Sequence, residues 1–229
     1  MADIETSGTR RSYDTARRRK QSVASRQRII DEARRLFLAQ GYRTTTIAEI
    51  AAAAAVNPDT VYRLVGRKPM VLRELIEQAL SGTDHAVAGE DRSHVRMMAI
   101  EPNPIVRLEI YAAAMRETHA RLAPLFLALR DASSTEPDAE QVWREIGARR
   151  AANMRKLVRD VRSVTKARYA TSTVEAADTV WALNSPELYV MLTVERGWTP
   201  RRYERWLARS LGRLLLDCAA SGPDSGITT

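Results

Sequence analysis

Apolar residues recur along this chain at three- and four-residue steps from about residue 25 to residue 215, the spacing of helices that each bury one face. Ile29, Ile30, Ala33, Leu36 and Phe37 form a first stripe over residues 25–40, and Gly41 follows as a stop. Ile47, Ile50, Ala51 and Ala54 form a shorter stripe, Val61 and Leu64 another, and residues 68–80 carry Val71, Leu72, Leu75, Ile76 and Ala79. The segment 81–101 holds Gly, Asp and His and predicts one short helix near 94–99. After Pro102 and Pro104 comes the stripe Ile105, Leu108, Tyr111, Ala112, Met115 and His119, and residues 122–132 read as a separate short apolar piece. A turn-rich stretch at 133–138 leads to a long helix with Val142, Trp143, Ile146, Met154, Leu157 and Val161. Helices over 173–183 and 186–195 precede a last one, opened by Thr199-Pro200 and running through Trp206, Leu207, Leu211, Leu214 and Leu215. Strand-type alternation is absent and no internal repeat is present, so the pattern predicts an all-α fold.

Residues 46–68 carry the most information. Thr46 is placed to cap a helix whose inward face is Ile47, Ile50, Ala51 and Ala54, with Val56 plugging the turn that follows. Asn57 offers a side-chain oxygen to unpaired amides, and Pro58 stands at the first position of the next helix, where a missing N–H costs nothing. Val61 and Leu64 return to the core. Asp59, Thr60, Tyr62 and Arg63 are left facing outward, a mixture of short polar, aromatic and cationic groups that suits a DNA major groove.

Charge changes the picture in the same direction. Residues 1–68 hold 14 Lys+Arg against 7 Asp+Glu, a net of +7, whereas the remaining residues hold 22 against 21. A polyanion-binding end is expected in the first third, including the run Arg17-Arg18-Arg19-Lys20. The polar residues 1–22 are expected to form a flexible basic arm, and 219–229 a flexible tail. There is no signal-peptide core and no stretch of about 20 apolar residues, so a cytoplasmic location without membrane attachment is expected. The single cysteine, Cys218, excludes an internal disulfide, and His85, His94 and His119 lack metal spacing, so no metal or cofactor is expected. None of the GxGxxG, GxxxxGK, HExxH or GxSxG patterns occurs, and enzymatic function is not expected.

Residues 25–75 resemble the DNA-binding domain of the tetracycline-repressor (TetR) family of regulators. The resemblance lies in a helix ending Phe37-x-x-x-Gly41-Tyr42, then Thr45-Thr46, Ile50-Ala51, Val56-Asn57, Thr60-Val61-Tyr62 and Lys68. Farther on, Trp181 to Tyr189 and Glu195 to Tyr203 are similar to the family's C-terminal helices. Three positions depart from the family pattern: Ala55 where glycine is usual, Leu64-Val65 where His-Phe is common, and Pro69 where an acid is usual.

The resemblance implies a helix-turn-helix DNA-binding domain at 23–68 and a helical effector-binding and dimerisation domain at 69–218. It implies phosphate contacts by Thr46, Tyr62 and Lys68; Pro58, Asp59, Thr60 and Arg63 are the groove-facing choices, Asn57 joins the DNA-binding set, and Arg17, Arg18, Arg19 and Lys20 are expected to lie along a minor groove. Tyr111, Met115, His119, Phe126, Trp143, Met154, Asn184 and Tyr189 are the candidates to line an effector pocket for an apolar or amphipathic small molecule. Trp181, Leu183, Leu188, Leu192, Trp206 and Leu211 are the candidates for a homodimer interface. The expected function is a homodimeric repressor bound to a palindromic operator in double-stranded DNA and released by a small molecule. The alternative is a dimeric DNA-binding protein whose body is only a scaffold.

Overall fold

The computed structural model describes residues 7–83, 85, 87–164 and 171–216, with side chains from Arg17 onward. Helix α1 spans Ser7–Gln40, α2 Ile47–Ala53, α3 Pro58–Leu64 and α4 Lys68–Ser81. A 3₁₀ turn at Gly89–Asp91 precedes α5 (Ser93–Ile100), α6 (Pro104–Ser133), α7 (Pro137–Arg162), α8 (Thr173–Leu183), α9 (Pro186–Val190) and α10 (Pro200–Leu216). No strand occurs among the described residues, and the all-α expectation holds.

Two elements differ from the expected boundaries. From Ser7 the basic segment continues α1 as helix rather than forming a flexible arm, with Arg17, Arg18, Arg19 and Lys20 exposed. Arg, Lys, Gln and Ala are good helix formers, and residues 29–37 supply a packed nucleus, so extension adds one backbone hydrogen bond per residue without a new nucleation cost. The expected tail at 219–229 and Cys218 lie outside the described residues. The second difference is that residues 122–132 are the C-terminal part of one 30-residue helix, α6, which passes through Pro124. Pro124 and Ala120, whose carbonyl the proline leaves unpaired, both face solvent, while Leu122, Leu125, Phe126 and Leu129 are buried. Water can serve the freed carbonyl, and the burial on the opposite face outweighs the lost bond.

The α2–α3 turn is built by local caps. Thr46 accepts from the Glu49 amide while Glu49 Oε2 accepts from the Thr46 N–H at 2.7 Å, a reciprocal capping box. Asn57 accepts from the Asp59 amide at 2.9 Å, and Pro58 opens α3. Ile50, Ala51, Ala54 and Val61 are almost fully buried and hold the two helices together. Between them Ala55 adopts φ +53°, the left-handed region, and it is the only non-glycine to do so among the described residues. An L-residue there costs about 1–2 kcal/mol, of which glycine would forfeit part through greater freedom in the unfolded chain. Ala55→Gly is therefore expected to stabilise the protein by about 0.5–1 kcal/mol, read as a rise in denaturation midpoint. A lower midpoint would show that the turn carries no strain.

The hydrophobic core does not stop where the head ends. One cluster joins Ile29, Phe37, Tyr42, Ile50 and Val61 of the head to Leu72, Leu75 and Ile76 of α4 and to Leu122, Phe126, Leu129, Val142 and Ile146 of α6 and α7. Polar contacts fasten the same junction. The Tyr42 hydroxyl donates to Glu136 at 2.9 Å, Arg67 pairs with Asp138 at 2.9 Å, and Arg34 of α1 donates to Gln78 of α4 at 2.8 Å. Burial, then the hydrogen bond to Glu136, pushes the Tyr42 phenol well above its ordinary pKa. A second cluster, including Leu108, Tyr111, Leu157, Val180, Tyr203, Leu207 and Leu211, forms the body around α6, α7, α8 and α10.

Candidate nucleic-acid interface and ligand cavity

On α3, Asn57, Pro58, Asp59, Tyr62 and Arg63 are exposed and Thr60 is half-exposed, whereas Val61 on the opposite side is fully buried. Tyr62 is 52% exposed, unusual for a side chain of its size and unexplained by packing. Tyr62 and Arg63 make no hydrogen bond or ion pair among the described residues, so both are available to a partner. The outward set expected from the sequence is thus one continuous surface.

Two of the expected phosphate contacts are placed less simply. Thr46 is exposed, but its N–H and its hydroxyl are both given to Glu49, whose carboxylate is held below its ordinary pKa chiefly by the Thr46 backbone hydrogen bond. A phosphate at this helix start would have to displace an existing anion. Lys68 is half-buried, donates to the Tyr42 carbonyl at 3.2 Å, and lies 4.2 Å from the centre of the Tyr42 ring. Its charge serves the α1–α2 junction as well as any external anion.

In the body, a cavity of about 530 Å³ opens between α4, α5, α6 and α7, with Asn184 and Pro186 at its far side. Five of the eight expected pocket residues line it: Tyr111, Met115, His119, Met154 and Asn184. Three do not. Phe126 borders only a small neighbouring void of about 40 Å³ and stacks on Trp143 at 4.8 Å in the core shared with the head. Tyr189 packs one layer back, its ring 5.6 Å from His119 and 4.9 Å from Tyr203. Their helical faces point correctly inward, but toward core rather than cavity.

The polar groups of the cavity form an ordered set. Asn184, 4% exposed, donates from Nδ2 to the Tyr111 hydroxyl at 2.6 Å, which in turn lies 3.6 Å from the Met154 sulfur. His119 Nδ1 is 3.1 Å from the Tyr203 hydroxyl. Burial, then the charge of Arg150, depresses His119 to a pKa of about 3, and burial, then Arg92, depresses His94 to about 4.

Arg92, Arg107 and Arg150 also line the cavity and were not anticipated. The sequence carries a signal for two of them. Arg107, Tyr111, Met115 and His119 stand at successive four-residue steps on α6, and Ile146, Arg150 and Met154 do so on α7, so each arginine interrupts an apolar stripe. Arg150 reaches inward, donating to the carbonyls of Trp181 at 3.1 Å and Asn184 at 3.0 Å.

Of the expected dimer residues, Leu211 is fully buried within its own chain and cannot face a second copy, because α10 lies against α6 along that side. Trp181 is exposed at 38%, Leu188, Leu192 and Trp206 are half-buried, and Leu183 packs partly on the body core. Val174, Met191 and Val194 add exposed apolar surface to the α8–α9 region. Among the described residues, no group of three or more His, Cys, Asp or Glu is placed to hold a metal, and no helix is long and apolar enough to cross a membrane.

Residues 29–64 match the family model of bacterial regulatory proteins of the tetR family, the same segment that forms the helix-turn-helix. The chain belongs to the TetR family. This regulator is 29% identical to the HTH-type transcriptional regulator TcmR of Streptomyces glaucescens over 56% of its own length and 70% of that protein's. Among solved structures it is similar to a TetR-family regulator from Syntrophomonas wolfei, with a TM-score of 0.67 at 16% identity, covering 86% of this chain and 97% of that one. The fatty acid degradation regulator FadR of Bacillus halodurans gives a TM-score of 0.64 at 17% identity, with 83% and 94% covered. A regulator from Saccharomonospora viridis, solved in complex with choline, gives 0.60 at 18%, with 80% and 93% covered. At such identities the structural likenesses speak for the fold: an N-terminal helix-turn-helix on a helical body. The protein is a TetR-family, DNA-binding transcriptional regulator.

Proposed function

We propose that this TetR-family protein is a homodimeric repressor whose operator binding is relieved by a small molecule entering the body cavity. The observation that carries the reading is the cavity itself, a partly enclosed space of about 530 Å³ beneath α4, the helix whose other side packs on the head. Domain roles follow, with 23–68 reading DNA and 69–218 holding ligand and partner. Tyr62 is assigned to phosphate, and Asp59, Thr60 and Arg63 to base edges; the exposed Arg17, Arg18, Arg19 and Lys20 add non-specific attraction along the backbone. Two copies pair through the face bearing Trp181, Leu188, Leu192 and Trp206, which sets the two α3 helices about 34–36 Å apart or a multiple of that. A regulator of this kind works where bacterial DNA lies, in the cytoplasm.

Ligand can shift operator affinity only by its preference for one head spacing over another. Glu77 of α4 contacts Arg149 of α7, and Arg73 pairs with Glu145 at 2.8 Å, so ligand-driven adjustment between α4 and α7 moves the floor of the head. Selecting bound fragments from a random DNA pool tests the first half of the reading. A palindromic consensus with half-sites about one turn apart is expected, and an asymmetric or absent consensus would overturn it.

A further inference from the structure

The cavity has an electrostatic character that narrows what can occupy it. Besides its three arginines it borders Lys156, and its two carboxylates, Glu90 and Asp160, are both exposed to solvent. Arg150 has no carboxylate partner among the described residues. Its guanidinium donates to two main-chain carbonyls and sits 4.7 Å from the Trp181 ring centre and 5.4 Å from that of Phe126. Glu187, the acid that acts most on Arg150, lies 3.8 Å from Arg130. Arg92 is half-buried with an Nε that has no hydrogen-bond partner, and Glu77, the acid nearest in effect, is already in contact with Arg149. Burial lowers the pKa of both arginines from the ordinary value, the mark of cationic groups short of compensation.

A second, independent observation lies beside Arg150, whose guanidinium donates to the Asn184 carbonyl. Asn184 is 4% exposed, and its Oδ1 has no hydrogen-bond partner. Exchanging the two amide atoms would satisfy the oxygen with the Tyr111 hydroxyl but put the NH₂ in the position that has no partner, so one polar atom of Asn184 is orphaned in either orientation. A buried orphan of this kind destabilises the empty cavity until something bonds it. Away from these polar groups the walls are soft and apolar, with Met98, Met115, Met154, Leu122 and Leu157.

We propose that the cavity binds an amphipathic small molecule with one anionic group, a carboxylate or sulfonate, held by Arg92 and Arg150, and a polar group within reach of the neighbouring Asn184 side chain. The proposal rests on the ligand-responsive reading above. A cationic ligand would meet three arginines, and a wholly apolar one would leave Asn184 unpaired and Arg92 and Arg150 uncompensated.

Two fluorescent probes with the same rings separate charge from hydrophobicity: 1-anilinonaphthalene-8-sulfonate, and N-phenyl-1-naphthylamine, which lacks the sulfonate. Titration of the full-length protein with each is compared across Arg92→Met, Arg150→Met and Met115→Trp. Each arginine variant is expected to weaken the sulfonate probe by about ten-fold and the neutral probe by less than two-fold. If Arg150→Met fails to fold, because Arg150 ties the carbonyls at the end of α8, Arg92→Met carries the comparison alone. Equal loss for both probes, or none for either, would overturn the anionic assignment. Met115→Trp narrows the cavity from α6 and is expected to weaken both. If Met115→Trp leaves both probes bound as tightly as wild type, the cavity takes no ligand, and the ligand-responsive reading fails with the proposal.

Discussion

Between pH 7 and pH 5 this regulator is expected to lose stability steeply, with His119 and His94 as the source. His119 is 3% exposed, enclosed by Tyr189 and Tyr203, with Arg150 supplying the nearest strong charge. Its native pKa of about 3 lies far below the 6.5 of an unperturbed histidine. The unfolded chain therefore takes up a proton as pH drops below about 6.5 while the native state does not. Stability is complete above that value and declines as pH falls toward the native pKa. The limiting slope is about 1.4 kcal/mol per pH unit for one proton, or about 2 kcal/mol by pH 5. His94, at about 4, acts with the same sign. The two together remove about 4 kcal/mol at pH 5, a large share of the 5–15 kcal/mol typical of folded proteins. Denaturant melts at pH 7.5, 6 and 5 check this, with His119→Gln as the comparison, since glutamine retains a partner for Tyr203 without titrating. The variant should show about half the wild-type pH dependence. An undiminished slope would mean that His119 is not held neutral.

The second large effect belongs to α3. Tyr62→Phe removes only a hydroxyl that points away from the core, so folding should be unaffected. A hydrogen bond to a charged group contributes about 1.5–3 kcal/mol, and a symmetric dimer loses two of them. Operator affinity should fall by two orders of magnitude or more, equally for matched and mismatched DNA. Arg63→Ala should behave differently. If its guanidinium takes a guanine edge, discrimination at one base pair per half-site drops by about 1–3 kcal/mol, while affinity for unrelated DNA changes little beyond the loss of one cation. Fluorescence anisotropy on a selected operator and its point-mutated versions separates the two. A uniform loss for Arg63→Ala would move it from base reading to phosphate holding.

The contrast between head and body shows what a sequence can carry. Thr46 with Glu49, and Asn57 with Pro58, act on amides within three residues of themselves, so their effect is written locally and the turn could be read directly. The outward face of α3 followed, because Val61 and Leu64 fix which way the short helix rolls. The body depends on which helix covers which stripe. Leu211 and Phe126 sit on faces that any amphipathic helix might give to a partner or a pocket, and only the placement of α6 beside α10 and of α4 above Phe126 decides otherwise. Residues 122–132 belong to α6 rather than to a separate piece because burial on the far side of the helix exceeds the local cost of Pro124. Arg107 and Arg150 were legible in principle as charged members of apolar rows.

The continuity of the core from Ile29 through Ile76 to Phe126 and Ile146 bears on how such regulators could be re-engineered. Grafting a foreign reading head onto this body at residue 68 would set unfamiliar side chains against Leu72, Ile76 and Leu122, and would strand Glu136 and Asp138 without Tyr42 and Arg67. A workable chimera has to carry α4 and the α6–α7 corner along with the donor's first three helices, so the smallest exchangeable module is discontinuous in the chain.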